Sequence, residues 1–348
     1  MSAQLLSAQG TTQPCKLSIS FRVLLSLYAI IPLCLVLSVA DSHLWHYALR
    51  DNLPSSPKHF ILFQILFGTP HIIASAILLI SNQEYLGLYK TKLLGFTFII
   101  ALLFGVGSLF IPYRAFYIGV AIWTVFHVLK QQFGVAQGVC RLPNKAFYLL
   151  VTLSVLAGSF IYLAIFLKHG LDAQQLDRVH HFAGSLCALL VISALFCQSY
   201  IPSLLGKYFL WANILLIIGS FYFCVQQYGF FAILMPRLIH DTTAYFFYIS
   251  HDINKHSSQA QNNLYRYAAR WRLPIVIVLP VLSFGLAFIL QAYGDNVIAY
   301  LTQYLFGAAL PKAITVGVLG YLALLHYYTE SFTWKGNSPY RRFINFSK

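Results

Sequence analysis

The chain is a succession of long apolar runs that are separated by short polar loops. The runs occupy residues 21–40, 59–81, 93–112, 115–139, 146–167, 181–200, 207–225, 230–250, 273–292 and 312–331. Each run is long enough to cross a hydrocarbon core of roughly 30 Å at about 1.5 Å per residue. None of them alternates apolar and polar residues, as a strand of a membrane barrel does. The pattern predicts an all-α polytopic membrane helical bundle with about ten transmembrane helices.

Composition agrees with this class. Hydrophobic residues make up 59% of the 348 residues, and charged residues make up only 9%. Soluble domains carry about 25% charged residues. A chain with so little charge lacks the polar side chains to cover a surface that faces water. The solvent around most of the chain is therefore predicted to be lipid, and the protein is predicted to be an integral membrane protein.

Basic residues fall mainly on one side of the predicted spans. With the N-terminus inside, the cytoplasmic segments carry fifteen Lys and Arg residues and the outer segments carry six. The positive-inside rule then places both chain ends in the cytoplasm. The predicted organisation is a polar cytoplasmic tail over 1–18, a single transmembrane bundle over 19–334 and a basic cytoplasmic tail over 335–348. The segment 295–310 is predicted to lie along the outer surface.

The formal net charge of +14 comes mainly from basic residues in the loops, so only the loops are expected to bind a charged partner. Basic cytoplasmic loops meet anionic lipid head groups, so no nucleic-acid partner is predicted. The expected partners are the lipid bilayer and an apolar small molecule that enters from it. The expected location is the inner membrane of a bacterium or an equivalent membrane.

Ionisable and amide side chains inside the predicted spans are concentrated in the second, fourth, eighth and tenth spans. They are His71; His127, Lys130 and Gln131; Arg237, His240 and Asp241; and His326 and Glu330. Such side chains are costly at membrane depth and commonly mark a function. On each of these spans the polar residues share one helical face, which a site in the core of a bundle requires.

Depth predicts that the histidines meet. His71, His127 and His240 each lie ten to twelve residues before the cytoplasmic end of their span, which is about 15–18 Å. Their ring nitrogens are expected to approach one point within about 5 Å, because a bound ligand atom lies roughly 2.0–2.2 Å from a metal. His326 is expected about two turns nearer the cytoplasm. Gly134 and Gly138 are expected to allow close helix packing.

The predicted site is a metal centre. Imidazole and carboxylate groups suit iron, zinc, copper or manganese, and carboxylates also orient metal-bound imidazoles. The predicted metal residues are His71, His127, His240, His326, Asp241 and Glu330. Non-haem iron is the favoured metal, with zinc or haem as alternatives. The residues predicted to hold the substrate or an oxygen-derived anion are Lys130, Arg237 and Gln131.

A second polar cluster is predicted at the cytoplasmic edge. It consists of His251, Asp252 and His256, and Glu330 is considered for it as well. Eleven residues of regular helix would separate His240 from His251 by about 16.5 Å. One metal ion therefore cannot bind both histidines, and the two clusters are predicted to be distinct.

The Pro70–His71 pair in an early span and the intramembrane histidines of later spans resemble one known family. The chain is similar in these features to the Brp/Blh-type beta-carotene dioxygenases, which are membrane-integral non-haem iron enzymes. It differs in that Ile72 follows His71, where that family has glycine, and in having no pair of histidines four residues apart. The resemblance implies a metal-dependent enzyme that modifies a lipid.

Three functions follow from these observations. The first is a metal-dependent oxygenase or oxidoreductase, with non-haem iron, that acts on a lipid or isoprenoid-type apolar substrate. The second is a transporter or proton-coupled permease, in which the same polar stripes line a pathway. The third is a haem-binding redox protein, in which two of the histidines are axial ligands.

Overall fold

Helices make up almost the whole of the computed structural model, which describes residues 17–54, 64–256 and 258–347. The structure is 83% helical, and two short strands are the only extended elements in those ranges. The all-α class is therefore confirmed. Residues 1–16, which form most of the predicted N-terminal tail, and residues 59–63 of the second predicted span lie outside the described residues.

The helices have the following order and bounds. They are α1 Phe21–Ser26, α2 Ile30–His43, α3 Ala48–Asn52, α4 Thr69–Ser81, α5 Gln83–Gly105, α6 Tyr113–Cys140, α7 Asn144–Leu167, α8 Ala173–Cys197, α9 Leu204–Val225, α10 Gly229–His256, α11 Asn263–Arg270, α12 Ile275–Ile289, α13 Asp295–Phe306 and α14 Leu319–Thr333. The strands are β1 Ser18–Ser20 and β2 Asn345–Ser347. Short π-helical turns precede α4, follow α12 and precede α14; they are Gln64–Gly68, Leu290–Gly294 and Ala313–Val318.

Seven helical segments of the described chain are long and apolar enough to cross a membrane, and they indicate a membrane protein. They are Phe21–His43, Gln64–Ser81, Gln83–Leu109, Asn144–Leu167, Ala173–Tyr200, Leu204–Val225 and Ile275–Phe306. The predicted spans 115–139, 230–250 and 312–331 also correspond to helices, but these helices are not among the seven. They carry His127, His240 and His326, so their polar residues make them less apolar.

The outer surface of the bundle is apolar. Large side chains such as Leu88, Phe98, Phe196 and Val281 are between 61% and 73% exposed. A soluble monomer rarely exposes so many large apolar residues together. Lipid is the solvent that suits this surface.

Two predicted spans begin eight to ten residues later than the corresponding helices, because the first turns of these helices are polar. Helix α5 begins ten residues before the predicted boundary, at Gln83. Helix α8 begins at Ala173, after a capping box in which the Asp172 carboxylate accepts from the Gln175 N–H and Gln175 bonds back to Asp172. A capping box begins a helix whatever the hydropathy of the next residues.

The segment 295–310, which is predicted to lie along the outer surface, is helical over most of its length and continues the helix before it. Helix α12 runs through a π turn directly into α13, so helix extends from Ile275 to Phe306. The Asp295 carboxylate accepts hydrogen bonds from the backbone N–H groups of Ile314 and Thr315. These bonds attach the start of α13 to the π turn that leads into α14.

Four helices surround the centre of the bundle. Helix α10 packs against α4 and α6, and α14 packs against the same two helices. Helices α9 and α12 also contact α10, most of whose side chains are buried. The interior face of each of the four helices therefore points toward a common space.

The two described chain ends lie together. Strands β1 and β2 pair in parallel, with Ser18 opposite Asn345. The side chain of Asn254 on α10 bonds both ends: it exchanges hydrogen bonds with the Leu17 backbone and donates to the Phe343 carbonyl at 2.8 Å. The predicted basic tail 335–348 is thus folded against α10 over its described part.

Candidate metal centre

Four buried histidines meet at the centre of the helix ring. His71 lies on α4, His127 on α6, His240 on α10 and His326 on α14. One ring nitrogen of each lies within 4.8 Å of those of the other three. The His71 ring centroid is 4.9 Å from that of His240 and 4.4 Å from that of His326. The expected convergence of the first three histidines is present.

His326 lies at the same level as the others, and its expected position two turns nearer the cytoplasm is wrong. Its ring centroid is 4.9 Å from that of His127. Counting residues back from the end of a predicted span gives the correct level only if every span ends at the same depth. The tilt and offset of α14 relative to its neighbours determine the true level, and the apolar pattern of a single helix does not encode them.

Local irregularities precede two of the histidines. A π-helical turn, Gln64–Gly68, leads into α4, whose first residues are Thr69, Pro70 and His71. Proline is accepted at the first turn of a helix, where its missing N–H removes no internal bond. A second π turn leads into α14, two turns before His326. Such π-bulges occur frequently at functional sites.

The histidine rings have few hydrogen-bond partners. Both ring nitrogens of His71, His240 and His326, and Nε2 of His127, are buried without a hydrogen bond among the described residues. An unsatisfied buried polar group costs about 1–3 kcal/mol. Four adjacent imidazoles that make so few hydrogen bonds are hard to account for in a core that only packs, although three of these nitrogens have a carboxylate oxygen within 2.9–3.7 Å. A metal ion would use one nitrogen of each ring.

A carboxylate lies beside His71. Asp241 Oδ1 lies 2.9 Å from His71 Nδ1, although the two atoms are not aligned as a hydrogen bond. Asp241 Oδ2 accepts from Arg237 Nε at 3.1 Å. A Cβ added to Gly68 would lie 2.9 Å from Arg237 Nη2, so the glycine makes room for the guanidinium. Arg237, which is predicted to hold the substrate or an oxygen-derived anion, donates to Asp241, and its role toward a substrate stays a prediction.

Glu330 supports His127 and His326 on the opposite side. Its Oε2 lies 3.4 Å from His127 Nε2 and 3.7 Å from His326 Nε2. The same oxygen accepts from Gln131 Nε2 at 3.2 Å, and Oε1 accepts from the Tyr248 hydroxyl at 2.5 Å. Gln131, predicted to touch substrate, thus orients Glu330. Glu330 belongs with the four histidines and not with the second cluster.

Lys130 lies outside the buried centre, on the wall of a cleft. Its side chain is exposed and its Nζ lies 4.9 Å from the Phe126 ring centroid. The cleft has a volume of about 700 Å³ and its lining includes His127 and Glu330. It therefore connects the edge of the histidine cluster to the surface beside α6.

The second predicted cluster is a hydrogen-bonded network. His251 Nδ1 lies 2.9 Å from Asp252 Oδ1, and its Nε2 lies 2.8 Å from the Tyr85 hydroxyl. The Tyr265 hydroxyl donates to Asp252. Burial and the neighbouring Asp252 carboxylate raise the pKa of Tyr265, which keeps this donor protonated.

His256 is equally well bonded. Its Nδ1 accepts from the Gln261 N–H at 3.1 Å, and its ring stacks on Tyr265 at 4.2 Å. These contacts tie the end of α10 to α11. With its ring nitrogens already bonded, the second cluster resembles a structural network more than an ion site.

Tyr248 and Gly68 contact the site and were not among the predicted site residues, although both lie on the predicted polar faces of their spans. The signal for Tyr248 was present, because it lies eight residues after His240 and shares the polar stripe of α10. The contact between Gly68 and Arg237 joins two different helices, and no sequence spacing encodes it.

Comparison of the chain with protein-family models, with curated proteins and with solved structures gives no match. The function is therefore argued from the residues of the site and their geometry.

Proposed function

We propose that this chain is a membrane-embedded metalloenzyme whose metal ion is held by His71, His127, His240 and His326. The observation that carries the proposal is that one ring nitrogen of each of four buried histidines lies within 4.8 Å of the others, in rings that leave seven nitrogens without a hydrogen bond to any described residue. Asp241 and Glu330 lie where carboxylates orient metal-bound imidazoles. Four imidazoles beside two carboxylates form a donor set suited to a divalent cation.

The proposed metal is non-haem iron and the proposed reaction is oxidation of an apolar substrate. Imidazole suits iron, zinc and copper, so the ligand type alone does not select one of them. An iron ion would supply activation of dioxygen. The cleft beside α6 reaches His127 and has many aromatic residues in its wall, which suits a lipid or isoprenoid-type substrate that comes from the bilayer.

The spacing of the rings favours a bare ion over haem. Neighbouring ring centroids are 4.4–5.0 Å apart among the four histidines. A porphyrin between two axial histidines needs a wide flat space that such closely packed rings do not leave. Transport is the remaining alternative, and it requires no metal at the histidines.

The proposed topology has ten spans, with both chain ends in the cytoplasm. The pairing of β1 with β2 supports an even number of spans, because it places the two ends on one side. The ion pair between Lys255 and Glu84 joins two segments that the charge distribution also assigns to one side. The proposed location is the inner membrane of a bacterium or an equivalent membrane.

Metal analysis of purified protein tests the proposal. The protein would be purified in detergent and its metals measured by mass spectrometry, beside the variants His240→Ala and His326→Ala. His181→Ala is the matched control, because that side chain is 77% exposed and far from the cluster in sequence. We expect about one iron per chain in the wild type and the control, and a strong loss in the other two.

Each other outcome points to a different function. A visible spectrum with a Soret band would replace the bare ion by haem. Bound zinc without iron would keep the metal site and remove the oxygenase chemistry. Folded protein without metal, in every buffer tested, would overturn the metal site and favour transport.

A further inference from the structure

The cleft beside α6 has a deep end at the histidine cluster and an outer end at the chain termini. His127 and Glu330 line the deep end. Phe21, Phe346 and Arg341, which belong to the two chain ends, line the other. Along α6 the lining includes residues from Trp123 to Gly138, and its part from His127 to Gly138 covers about 16 Å of helix. The volume of about 700 Å³ lies in the range of small-molecule sites, about 300–1,000 Å³.

Two positions on the α6 wall of the cleft are glycines and have no side chain. Gly134 and Gly138 are exposed on the same face of α6 as His127. A Cβ added to Gly134 would meet no atom within 4 Å, whereas one added to Gly138 would lie 2.8 Å from Phe21. The expected close helix packing at Gly134 is therefore wrong: this glycine faces the open cleft. Glycine in a helix interior costs about 1 kcal/mol relative to alanine, so its presence here suits a space kept free.

The cleft is positively charged. Its lining includes Lys130, Lys335 and Arg341, and its one carboxylate is Glu330. That carboxylate lies among the histidines and accepts from Gln131 and Tyr248. Lys335 is exposed and has no carboxylate partner in the described part of the chain. Basic groups thus concentrate at the outer end, and aromatic side chains such as Trp123 and Tyr327 line the part near His127.

We propose that the cleft binds a single-chain lipid anion, with its carboxylate or phosphate head at Lys335 and Arg341 and its apolar chain extending to His127. Charge complementarity places the head, and the aromatic wall places the chain. The inference deepens the proposed function, on which it rests for the chemistry: the chain carbons beside His127 would be those that react. Binding itself does not depend on the metal.

Photolabelling tests the binding. A palmitate analogue with a diazirine at the end of its chain would be bound to detergent-purified protein, irradiated, and its attachment mapped by peptide mass spectrometry. We expect labelling on α6 and α14 near His127. Palmitate and hexadecyl phosphate should compete, and the uncharged hexadecanol should compete about tenfold less well, the weakening expected on loss of one charge-assisted hydrogen bond.

Variants distinguish binding of the lipid head group from binding of the apolar lipid chain. Lys335→Gln with Arg341→Gln should remove the preference for palmitate over hexadecanol and leave hexadecanol binding unchanged. Gly134→Leu should fill the cleft and abolish labelling. Gly119→Leu is the matched control, because Gly119 is an exposed position of the same helix, outside the cleft, where an added Cβ meets no atom within 4 Å.

The outcomes distinguish this inference from the proposed function. Equal competition by hexadecanol, or labelling unaffected by Gly134→Leu, would overturn the lipid-anion site even if the protein contains iron. Equally strong competition by phosphatidylglycerol would assign the cleft to a structural membrane lipid. Labelling as expected in protein that binds no metal would keep the binding site and overturn the enzyme.

Discussion

The pair formed by Arg237 and Asp241 allows the metal centre to be tested apart from the histidines. Asp241→Asn removes a charge and keeps the shape of the side chain. Arg237 is 9% exposed and would lose its carboxylate partner. Breaking a buried pair by removal of one partner costs about 3–5 kcal/mol. Loss of a carboxylate that contacts a metal-bound histidine, and not the metal itself, also weakens metal binding by about 10–100-fold.

A second substitution separates these two effects. In Asp241→Asn with Arg237→Gln no unpaired charge remains, so stability should recover part of the loss. Neighbouring residues typically couple by about 0.5–3 kcal/mol. Metal affinity should stay low in the double variant, because His71 still lacks its carboxylate. The free energy of unfolding would be measured without metal, and the affinity by competition with a chelator.

Two results would refute this reasoning. If Asp241→Asn binds metal as tightly as the wild type, Asp241 does not support a metal-bound His71. If the double variant recovers metal affinity together with stability, the affinity loss in the single variant came from unfolding. In either case the carboxylate would have only a structural role.

Three further predictions concern the whole molecule. Removal of metal with a chelator should lower the melting temperature, since a bound ligand stabilises the folded state; an unchanged temperature would contradict the site. His251→Ala should leave the metal content unchanged but destabilise the protein by about 1–3 kcal/mol, because the buried Tyr85 hydroxyl loses its hydrogen-bond partner. Loss of metal in this variant would contradict the prediction that the two clusters are separate. Reporter fusions after residues 90, 143, 260 and 348 should report cytoplasm and those after 52 and 174 the outside; an outer C-terminus would exclude an even number of spans.

The meeting of the histidines could be predicted because lipid makes polar side chains informative. A buried histidine in a soluble core has many ordinary explanations. At membrane depth a polar side chain is costly, so few explanations for a histidine remain. Its helix face and its distance from the membrane edge then restrict which residues can be its neighbours. Those two coordinates were sufficient to bring His71, His127 and His240 together.

The contacts of the supporting residues could not be predicted in the same way. The spacing of Arg237 and Asp241 showed that they share a face of one helix. It did not show that Asp241 approaches His71 or that Gly68 makes room for the guanidinium. These contacts depend on the distance between α4 and α10, which is set by packing along the whole length of both helices.

The cleft was beyond prediction for a related reason. Its outer end is built from Phe21, Phe346 and Arg341, which lie at opposite ends of the sequence. Each strand of the pair that brings them together is only three residues long, which is too short to show a recognisable strand pattern. Gly134 reads as a packing glycine until the neighbouring space is known to be open.

The polar residues of the candidate site lower the hydropathy of the helices that carry them. The helices that carry His127, His240 and His326 are not among the seven that are apolar enough to be recognised as spans. They are also the helices whose polar faces turn toward the common centre, where all four histidines are at most 8% exposed. A polar helix crosses lipid only when other helices shield it, and the ring of α4, α6, α10 and α14 provides that arrangement. A count based on apolarity therefore omits the helices that a buried metal centre needs most. The three omitted helices supply the difference between seven and the proposed ten.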